Sequence, residues 1–471
     1  MQTNILNNDT ICAIATPHGM GAIATVRVSG AKAFPIVAAL FQHHGKFLEI
    51  SEIVSHKAYH GHLINKGELL DEVLVTFFKA PHSFTGEDSA EISVHGSVFV
   101  QQKLLQVLIA NGCRMAEAGE FTRRAFVNGK FDLAQAEAIA DLISSESEAA
   151  HRVAINQLRG GFSKELQVLR SKLLEMNSLM ELELDFSEED VEFADRSQLK
   201  ALLQEALDKV NRLKDSFRLG NAIKNGVPVA IVGQTNTGKS TLLNALLGED
   251  RAIVSDIAGT TRDTIEETLN INGILFRFID TAGLRETEET IEKIGIERSY
   301  RKIAEATVVI GMLDATKDAE NVLLAAHEIL ERIDLEHQQL ILCINKVDTL
   351  DDQGEALLGQ LRADLDNDEI MVICLSAKHK FGLNDLYNTL KHSQPLSYPD
   401  ATLVTNVRHY EALLHASDSL GQVQQGLEMN IPTDLVSQDL REAIHYLGTI
   451  TGEITTDEVL GSIFSRFCIG K

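Results

Sequence analysis

The sequence predicts a multidomain α/β plus α protein, with an N-terminal α+β domain, a helical domain, and a Ras-like P-loop α/β domain inserted into the helical one. Three observations carry this prediction. At 471 residues the chain is too long for a single core. From about residue 225, apolar strand patterns alternate with helical ones, as in a parallel, doubly wound sheet. Helical stretches flank that block on both sides, as an inserted domain would leave them. The boundaries expected are 1–125, 126–222, 223–382 and 383–471.

Within 1–125, ICAIAT, AIATVRVS, DEVLVTFF and AEISVHG read as strands, and VFVQQKLLQVLIANG as an amphipathic helix ended by Gly112. From about 131 to 218 the chain is rich in Ala, Leu and Glu at helical spacing, with a break expected at Gly160-Gly161. The acidic stretch from Glu181 to Asp195 reads as a solvated helix end. VPVAIVG, ILFRFID, ATVVIGML, QLILCIN and EIMVICLS are the buried strands of the α/β block, and helices return after Leu383.

Composition narrows the function classes. Hydrophobic residues at 44% and charged residues at 24% are ordinary globular values, so a disordered chain is excluded. The net charge of -25 argues against a simple phosphate-clamping nucleic-acid binder, though not against a nucleic acid gripped locally or through a partner. Cys12, Cys113, Cys343, Cys374 and Cys468 have neither metal-ligand nor CxxC spacing, and so odd and sparse a set suits a reducing cytosol. The opening residues lack the basic and apolar regions of a signal peptide, and no apolar run reaches the roughly 20 residues of a membrane span. A cytoplasmic protein is expected.

The strongest motif is Gly233-Gln-Thr-Asn-Thr-Gly-Lys-Ser240, which matches G-x-x-x-x-G-K-[ST] between a predicted strand and a predicted helix. Such a loop turns backbone N–H groups toward phosphate oxygens, and the helix N-terminus adds positive dipole. Asn236, Thr237, Gly238, Lys239, Ser240 and Thr241 are therefore candidate nucleotide contacts. Lys239 is expected to reach the β- and γ-phosphates and the Ser240 hydroxyl to bind Mg²⁺. Gly259-Thr260-Thr261 follows in a polar loop, with Thr261 the candidate switch threonine for Mg²⁺ and the γ-phosphate. Asp280-Thr281-Ala282-Gly283 comes next: Asp280 for the magnesium water shell, the Gly283 N–H for the γ-phosphate. In Asn345-Lys346-Val347-Asp348 the aspartate can accept both N1–H and the exocyclic amine of guanine, donors that adenine lacks as a pair. Ser376-Ala377-Lys378 closes the base pocket. In this order the motifs point to a GTPase.

Leu284 stands where a Ras-like enzyme has the glutamine that orients water, so another polar group must do so. The following segment offers Arg285, Glu286, Glu288, Glu289 and Glu292, and composition does not choose among them.

GQTNTGKSTLLNAL, DIAGTTRD and DTAGLRETEETIEKIGIERS resemble the MnmE (TrmE) family of GTPases that modify the wobble uridine of tRNA. ATPHGMGAIATVRVSG and SFTGEDSAEISVHG resemble the family's folate-binding N-terminal domain, GEFTRRAFVNGKFDLAQAEAIADLI the entry to its helical domain, and FCIGK its C-terminal tail. The resemblance implies a homodimer through the N-terminal domain, a bound 5-formyl- or methylene-tetrahydrofolate, and an FAD-dependent partner, MnmG. It implies an aminomethyl-type group installed at C5 of U34. It also implies potassium-dependent dimerisation of the GTPase domains, with Asn236, Ser255, Ile257 and Thr260 at the K⁺ ion and Ser255 and Thr260 also beside the GTP. By the same alignment Glu292 is the catalytic glutamate, and Arg262 and Arg285 are functional switch arginines. Arg27, Glu91, Lys130 and Lys471 fall at the folate pocket, where Met20 departs from the usual polar residue. Cys468 is a residue the family needs for tRNA modification; as a prenylation box CIGK is poor, with glycine third and lysine last. His18 and His95 read as structural or exposed. Two other readings are a ribosome-docking G protein, disfavoured by the net acidity, and a folate aminomethyltransferase carrying a passive GTPase clamp.

Overall fold

A computed structural model describes residues 9–185, 196–249, 267–271, 273–279, 306–349, 353–365, 367, 370–393, 402–429, 431–465 and 467–470. Contacts divide the chain into two compact units: Met1–Ile143, Asn156–Leu207 and His415–Lys471 form one, Ser144–Ile155 and Asp208–Leu414 the other.

The first unit begins with β1 (Thr10–Ile14), β2 (Ile23–Ser29), α1 (Ala33–Leu40), β3 (Phe41–His43), β4 (Lys46–Phe47), β5 (Ala58–Asn65), β6 (Glu68–Phe78), β7 (Ser89–His95), α2 (Val98–Ala110), β8 (Cys113–Met115) and α3 (Glu120–Val127). The eight strands form one sheet in the order β4-β3-β5-β6-β7-β2-β1-β8. β8 joins β1 in parallel, and the other neighbours are antiparallel. Alternation along β2, β5 and β7 sends every second side chain to one face. On that face Val26, Val28, Ile92 and Val94 pack beneath α1 and α2, against Phe34, Val37, Leu104 and Leu108. Each such side chain contributes about 1.5–3 kcal/mol by leaving water. On the opposite face Ile11 and Ala13 pack with Ala116, Phe121 of α3, and Phe84. β3, β4 and β8 escape sequence reading because two or three residues carry no periodicity. In β5, AYHGHLIN, the alternation is present but Gly61 stands at an inward position.

Charged groups fasten the sheet edge. Glu120, 1% exposed, accepts from Arg114, Arg124 and the Glu117 N–H. The same two arginines hold Asp9, and Arg124 reaches Glu87. Burial raises the Glu120 pKa, but the hydrogen bonds from Arg114, Glu117 and Arg124 outweigh it and hold the carboxyl below its ordinary value.

The helices of this unit are α4 (Leu133–Ile143), the end of α5 (Glu148–Leu158), α6 (Gly161–Asp185) and the start of α7 (Arg196–Asp215). The helix break expected at Gly160-Gly161 lies between α5 and α6. Glu181 is not merely solvated: it accepts from Arg441 and Asn177.

The second unit contains α8 (Phe217–Asn225), β9 (Val227–Gly233), α9 (Lys239–Glu249), β10 (Glu267–Ile271), β11 (Ile274–Phe278), β12 (Val308–Asp314), α10 (Ala319–Leu330), β13 (Gln339–Asn345), α11 (Gln353–Leu365), β14 (Met371–Cys374) and α12 (Leu383–His392). Its sheet runs β10-β11-β9-β12-β13-β14. All pairs are parallel except β10–β11, so the expected parallel sheet carries one antiparallel edge strand. Val229, Ile310, Met312 and Cys343 face α9 and α12. Ala230, Val309, Leu342 and Ile344 face α10 and α11. Burial on both faces explains the near-continuous apolar strands. It also pushes the Cys343 thiol up to about 12. Segment 383–392, expected to open the second helical stretch, instead buries Leu383, Leu386 and Leu390 in this sheet's core.

After α12 come α13 (Val407–Glu428), α14 (Thr433–Thr451) and α15 (Asp457–Phe464). Phe464 and Phe467 pack with Leu133 and Phe126. Among the described residues no helix is long and apolar enough to cross a membrane.

Removing the Glu120 charge should be costly. Glu120→Gln leaves Arg114 and Arg124 facing a neutral amide, and is expected to cost about 3–5 kcal/mol. A carboxylate whose folded pKa is depressed stabilises above its unfolded value, and that stability is lost as pH falls through the folded value. The wild type should therefore lose stability below about pH 4.5, and the variant should lack this part of the acid limb. Urea unfolding of both proteins across pH checks this; equal midpoints at pH 7 would show that the ion pairs contribute nothing.

Candidate functional site

The nucleotide loop connects β9 to α9. Asn236 adopts φ +64 and Gly238 φ +98. Only glycine fits at 238, because a Cβ there would stand 2.2 Å from Asn345 Nδ2. Thr237 is buried and donates its hydroxyl hydrogen to the Gln234 carbonyl at 2.9 Å. Ser240 and Thr241, both exposed, lie in the first turn of α9, whose leading N–H groups favour anions.

Lys239 Nζ donates to the carbonyls of Gly233 and Gln234 at 2.9 and 2.8 Å. Burial lowers its pKa. Among the described residues its hydrogen-bond partners are neutral carbonyls, and a half-buried ammonium so held gains from a phosphate anion, so the loop fits a nucleotide phosphate chain.

Asn345 joins three loops. Its Nδ2 donates to the Thr237 carbonyl at 2.8 Å, and its Oδ1 accepts the Ala377 N–H at 2.9 Å. Lys346 follows at φ +69, with Nζ on Asp314 Oδ2 at 2.7 Å. Asp348 sits in the single turn Val347–Thr349. A hydrogen bond with buried Ser376, aided by the charges of His379 and Lys378, holds its carboxyl below the ordinary value. It therefore stays an ionised acceptor at neutral pH, as a reader of two guanine N–H donors must. Ser376 and Phe381 exchange backbone hydrogen bonds at 3.0 and 3.2 Å, which shapes the loop carrying Ala377 and exposed Lys378.

In the first unit, Arg27 and Glu91 face each other across β2 and β7 and pair at 2.8 Å. The Arg27 guanidinium lies over the rings of Phe84 and Phe121, 4.9 and 5.7 Å from their centroids. Lys130 Nζ donates to the Pro81 carbonyl. The C-terminal residues reach the same face. The Gly119 N–H donates to the Cys468 carbonyl, Ala118 and Ile469 form a β-bridge, and Cys468 is exposed. Gly470, at φ +97, lies so close to Ile14 that a Cβ would stand 2.1 Å from its carbonyl oxygen. Ile14 follows Ala13, the register partner of Arg27. Residues 468–470 thus run past Ala118, Gly119 and the end of β1. Met20 is 91% exposed, and His95 bonds Asp71 at the surface, as a structural histidine would.

Ser255, Ile257, Thr260, Thr261, Arg262, Asp280, Thr281, Ala282, Gly283, Arg285, Glu292 and Lys471 lie outside the described residues. Sequence reading missed Asp314, Phe84 and Phe121. Phe84 and Phe121 gave no signal, since their approach to Arg27 depends on sheet register.

A family profile described as the MnmE helical domain matches residues 133–468, and one described as the GTP-binding protein TrmE N-terminus matches residues 10–130. Among curated relatives, the tRNA modification GTPase MnmE of Bacteroides fragilis is 53% identical over 468 residues, covering 99% of this chain and 100% of its own. Proteins of the same name from Bacteroides thetaiotaomicron and Flavobacterium johnsoniae are 52% and 51% identical, each again covering 99% of this chain and 100% of their own.

The crowding at Gly238 gives a direct test. Gly238→Ala should displace Asn345 and lower GTP affinity by about tenfold or more, a loss of at least ~1.4 kcal/mol. The far-ultraviolet spectrum should be unchanged, because the clash falls in a loop. Isothermal titration with GTP and GDP reads the affinity; wild-type values for the variant would show that the loop tolerates the clash.

Proposed function

The chain belongs to the MnmE family of tRNA modification GTPases, and from that premise we propose a finer activity. It hydrolyses GTP while acting with an FAD-dependent MnmG partner to install an aminomethyl-type group at C5 of wobble uridine U34 in tRNA. The carbon comes from 5-formyl- or methylene-tetrahydrofolate held by the N-terminal domain. The observation that carries this reading is the Arg27–Glu91 ion pair on the sheet of the N-terminal domain, with residues 468–470 returning to that domain at Ala118, Gly119 and Ile14. A folate offers a flat pterin and an anionic glutamate tail. Half-buried Phe84 supplies apolar ring surface there, Glu91 an acceptor for the pterin edge, and Arg27, Lys130 and Lys471 the cations for the tail. Cys468 is exposed, so a reacting uridine can reach it.

In the GTPase domain, Lys239 and the N-terminus of α9 hold the β- and γ-phosphates, and Asp348 reads guanine. Ser240 and Thr261 are the residues for Mg²⁺, and Asp280 holds its water shell. A Mg²⁺ ion held by these residues would neutralise charge developing on the phosphate oxygens of bound GTP. Exposed Asn236, on the rim of the loop, is the described member of the K⁺ set completed by Ser255, Ile257 and Thr260. These residues would hold a K⁺ ion, which would supply positive charge beside the phosphates and support the pairing of two GTPase domains of the homodimer. Glu292 orients water in place of the absent glutamine, with Arg262 and Arg285 supporting the switch segments. The net charge of -25 leaves most of the tRNA contact to MnmG. Domain limits near 125, 222 and 392 belong to the same proposal; the packing of α12 on the nucleotide sheet supports the last of these over the 382 expected from sequence.

Two experiments test the reading. GTP turnover should be about tenfold or more faster in potassium than in sodium at equal ionic strength, and Asn236→Ala should abolish the difference; equal wild-type rates in the two salts would remove the K⁺ assignment. In cells lacking the protein, nucleoside mass spectrometry of tRNA should show loss of the C5-modified wobble uridine. Wild-type chain should restore it, and Cys468→Ser should not. Unchanged uridine in the deletion strain would overturn the proposed chemistry while leaving the GTPase intact.

A further inference from the structure

Lys346 occupies an unusual backbone state. At φ +69 a non-glycine residue is strained by roughly 1 kcal/mol or more, and persists only where its surroundings fix it. Its ammonium is fixed by Asp314, the last residue of β12, which stands in register with Asn345 at the end of β13. Asp314 is itself locked: its Oδ1 accepts both the Thr316 N–H at 3.0 Å and the Thr316 hydroxyl at 2.7 Å. Its Oδ2 accepts Lys346 Nζ. The Asp314 side chain is 11% exposed and that of Lys346 34%, so the pair is partly shielded from screening by water. The adjoining backbone is tied as well, with the Ala315 N–H donating to the Asn345 carbonyl at 2.9 Å.

We propose that Asp314 is a positioning residue for the guanine nucleotide, acting through Lys346. The ion pair pins the far end of the Lys346 side chain, and with the backbone fixed at the other end the four-carbon stem between them is restrained, two residues before Asp348, the reader of the base edge. A pinned aliphatic stem is a flat apolar surface on which a purine ring can lie without first ordering a flexible side chain. Thr316 completes the device by fixing the carboxylate that fixes the lysine. The inference rests on nucleotide binding alone and is independent of the folate and tRNA chemistry proposed above.

The test is stopped-flow dissociation of a fluorescent GDP analogue from the full-length protein, together with steady-state GTP hydrolysis. Asp314→Asn keeps the size and an acceptor for Thr316 but removes the charge. It should speed dissociation about tenfold, as expected for loss of a charge-assisted hydrogen bond, and raise KM for GTP with kcat within about twofold of wild type. Lys346→Met keeps the stem and loses the ammonium, and should behave alike. The double variant should be no worse than Lys346→Met alone. Thr316→Val, which removes one of the two bonds to Oδ1, should show a smaller effect of the same kind. Dissociation from Asp314→Asn within twofold of wild type would overturn the proposal. So would an Asp314→Asn effect that persists undiminished in the Lys346→Met background, which would mean the carboxylate acts by another route. Should Asp314→Asn fail to fold, Thr316→Val decides alone, since unchanged dissociation there would also overturn it.

Discussion

The side-chain amide of Asn345 is the interaction on which the nucleotide site depends. Three loops leave the ends of separate strands and have no reason in their own sequences to meet. The amide donates to one and accepts from another, and its backbone begins the third. An aspartate of the same shape would lack the donor, and a leucine would lack both. Because the amide is buried, each unmade bond would carry the penalty of a desolvated polar group, about 1–3 kcal/mol. That penalty explains the crowding against Gly238: the two loops come as close as a glycine allows because the hydrogen bond requires it.

The sheet beneath supplies the fixed positions. Parallel strands buried on both faces end together, so β9, β12 and β13 deliver Gly233, Asp314 and Asn345 to one edge. Ligands in open α/β sheets lie at the carboxyl ends of the strands for this reason. Lys239 and Lys346 are then held by local hydrogen bonds, and a hydrogen bond with Ser376 keeps the Asp348 carboxyl below its ordinary value.

The first unit solves a different problem. Its sheet is covered by two helices on one face, while on the other face Phe121 of α3 and Phe84 pack on the β1 end. Burying Glu120 and Arg124 at that end is costly unless every charge is matched, and the Asp9, Glu87, Arg114 network matches them. The result is a rigid floor beneath Arg27, whose guanidinium is flanked by aromatic rings and paired with Glu91. Close backbone approach at Gly470 brings that residue against Ile14 at the end of β1.

Local pattern by itself determined the element types of the long strands and helices, since periodicity is a property of neighbouring residues. It likewise determined the glycine loop, the Asn345-to-Asp348 motif and the order of the nucleotide elements, because those rely on fixed short spacings. Strands of two or three residues, the placement of α12 on the nucleotide sheet and the antiparallel edge strand were decided only by tertiary structure, since each depends on which distant surface was left to cover. The same holds for the site. Lys346 was legible as a motif residue, but its partner Asp314 was not, because strand register brings them together across 32 positions of chain. Arg27 and Glu91 were legible only by resemblance, as single charges; that they form one pair between two phenylalanines is a fact of the folded sheet, where hydrogen-bonded register and not sequence distance sets who meets whom.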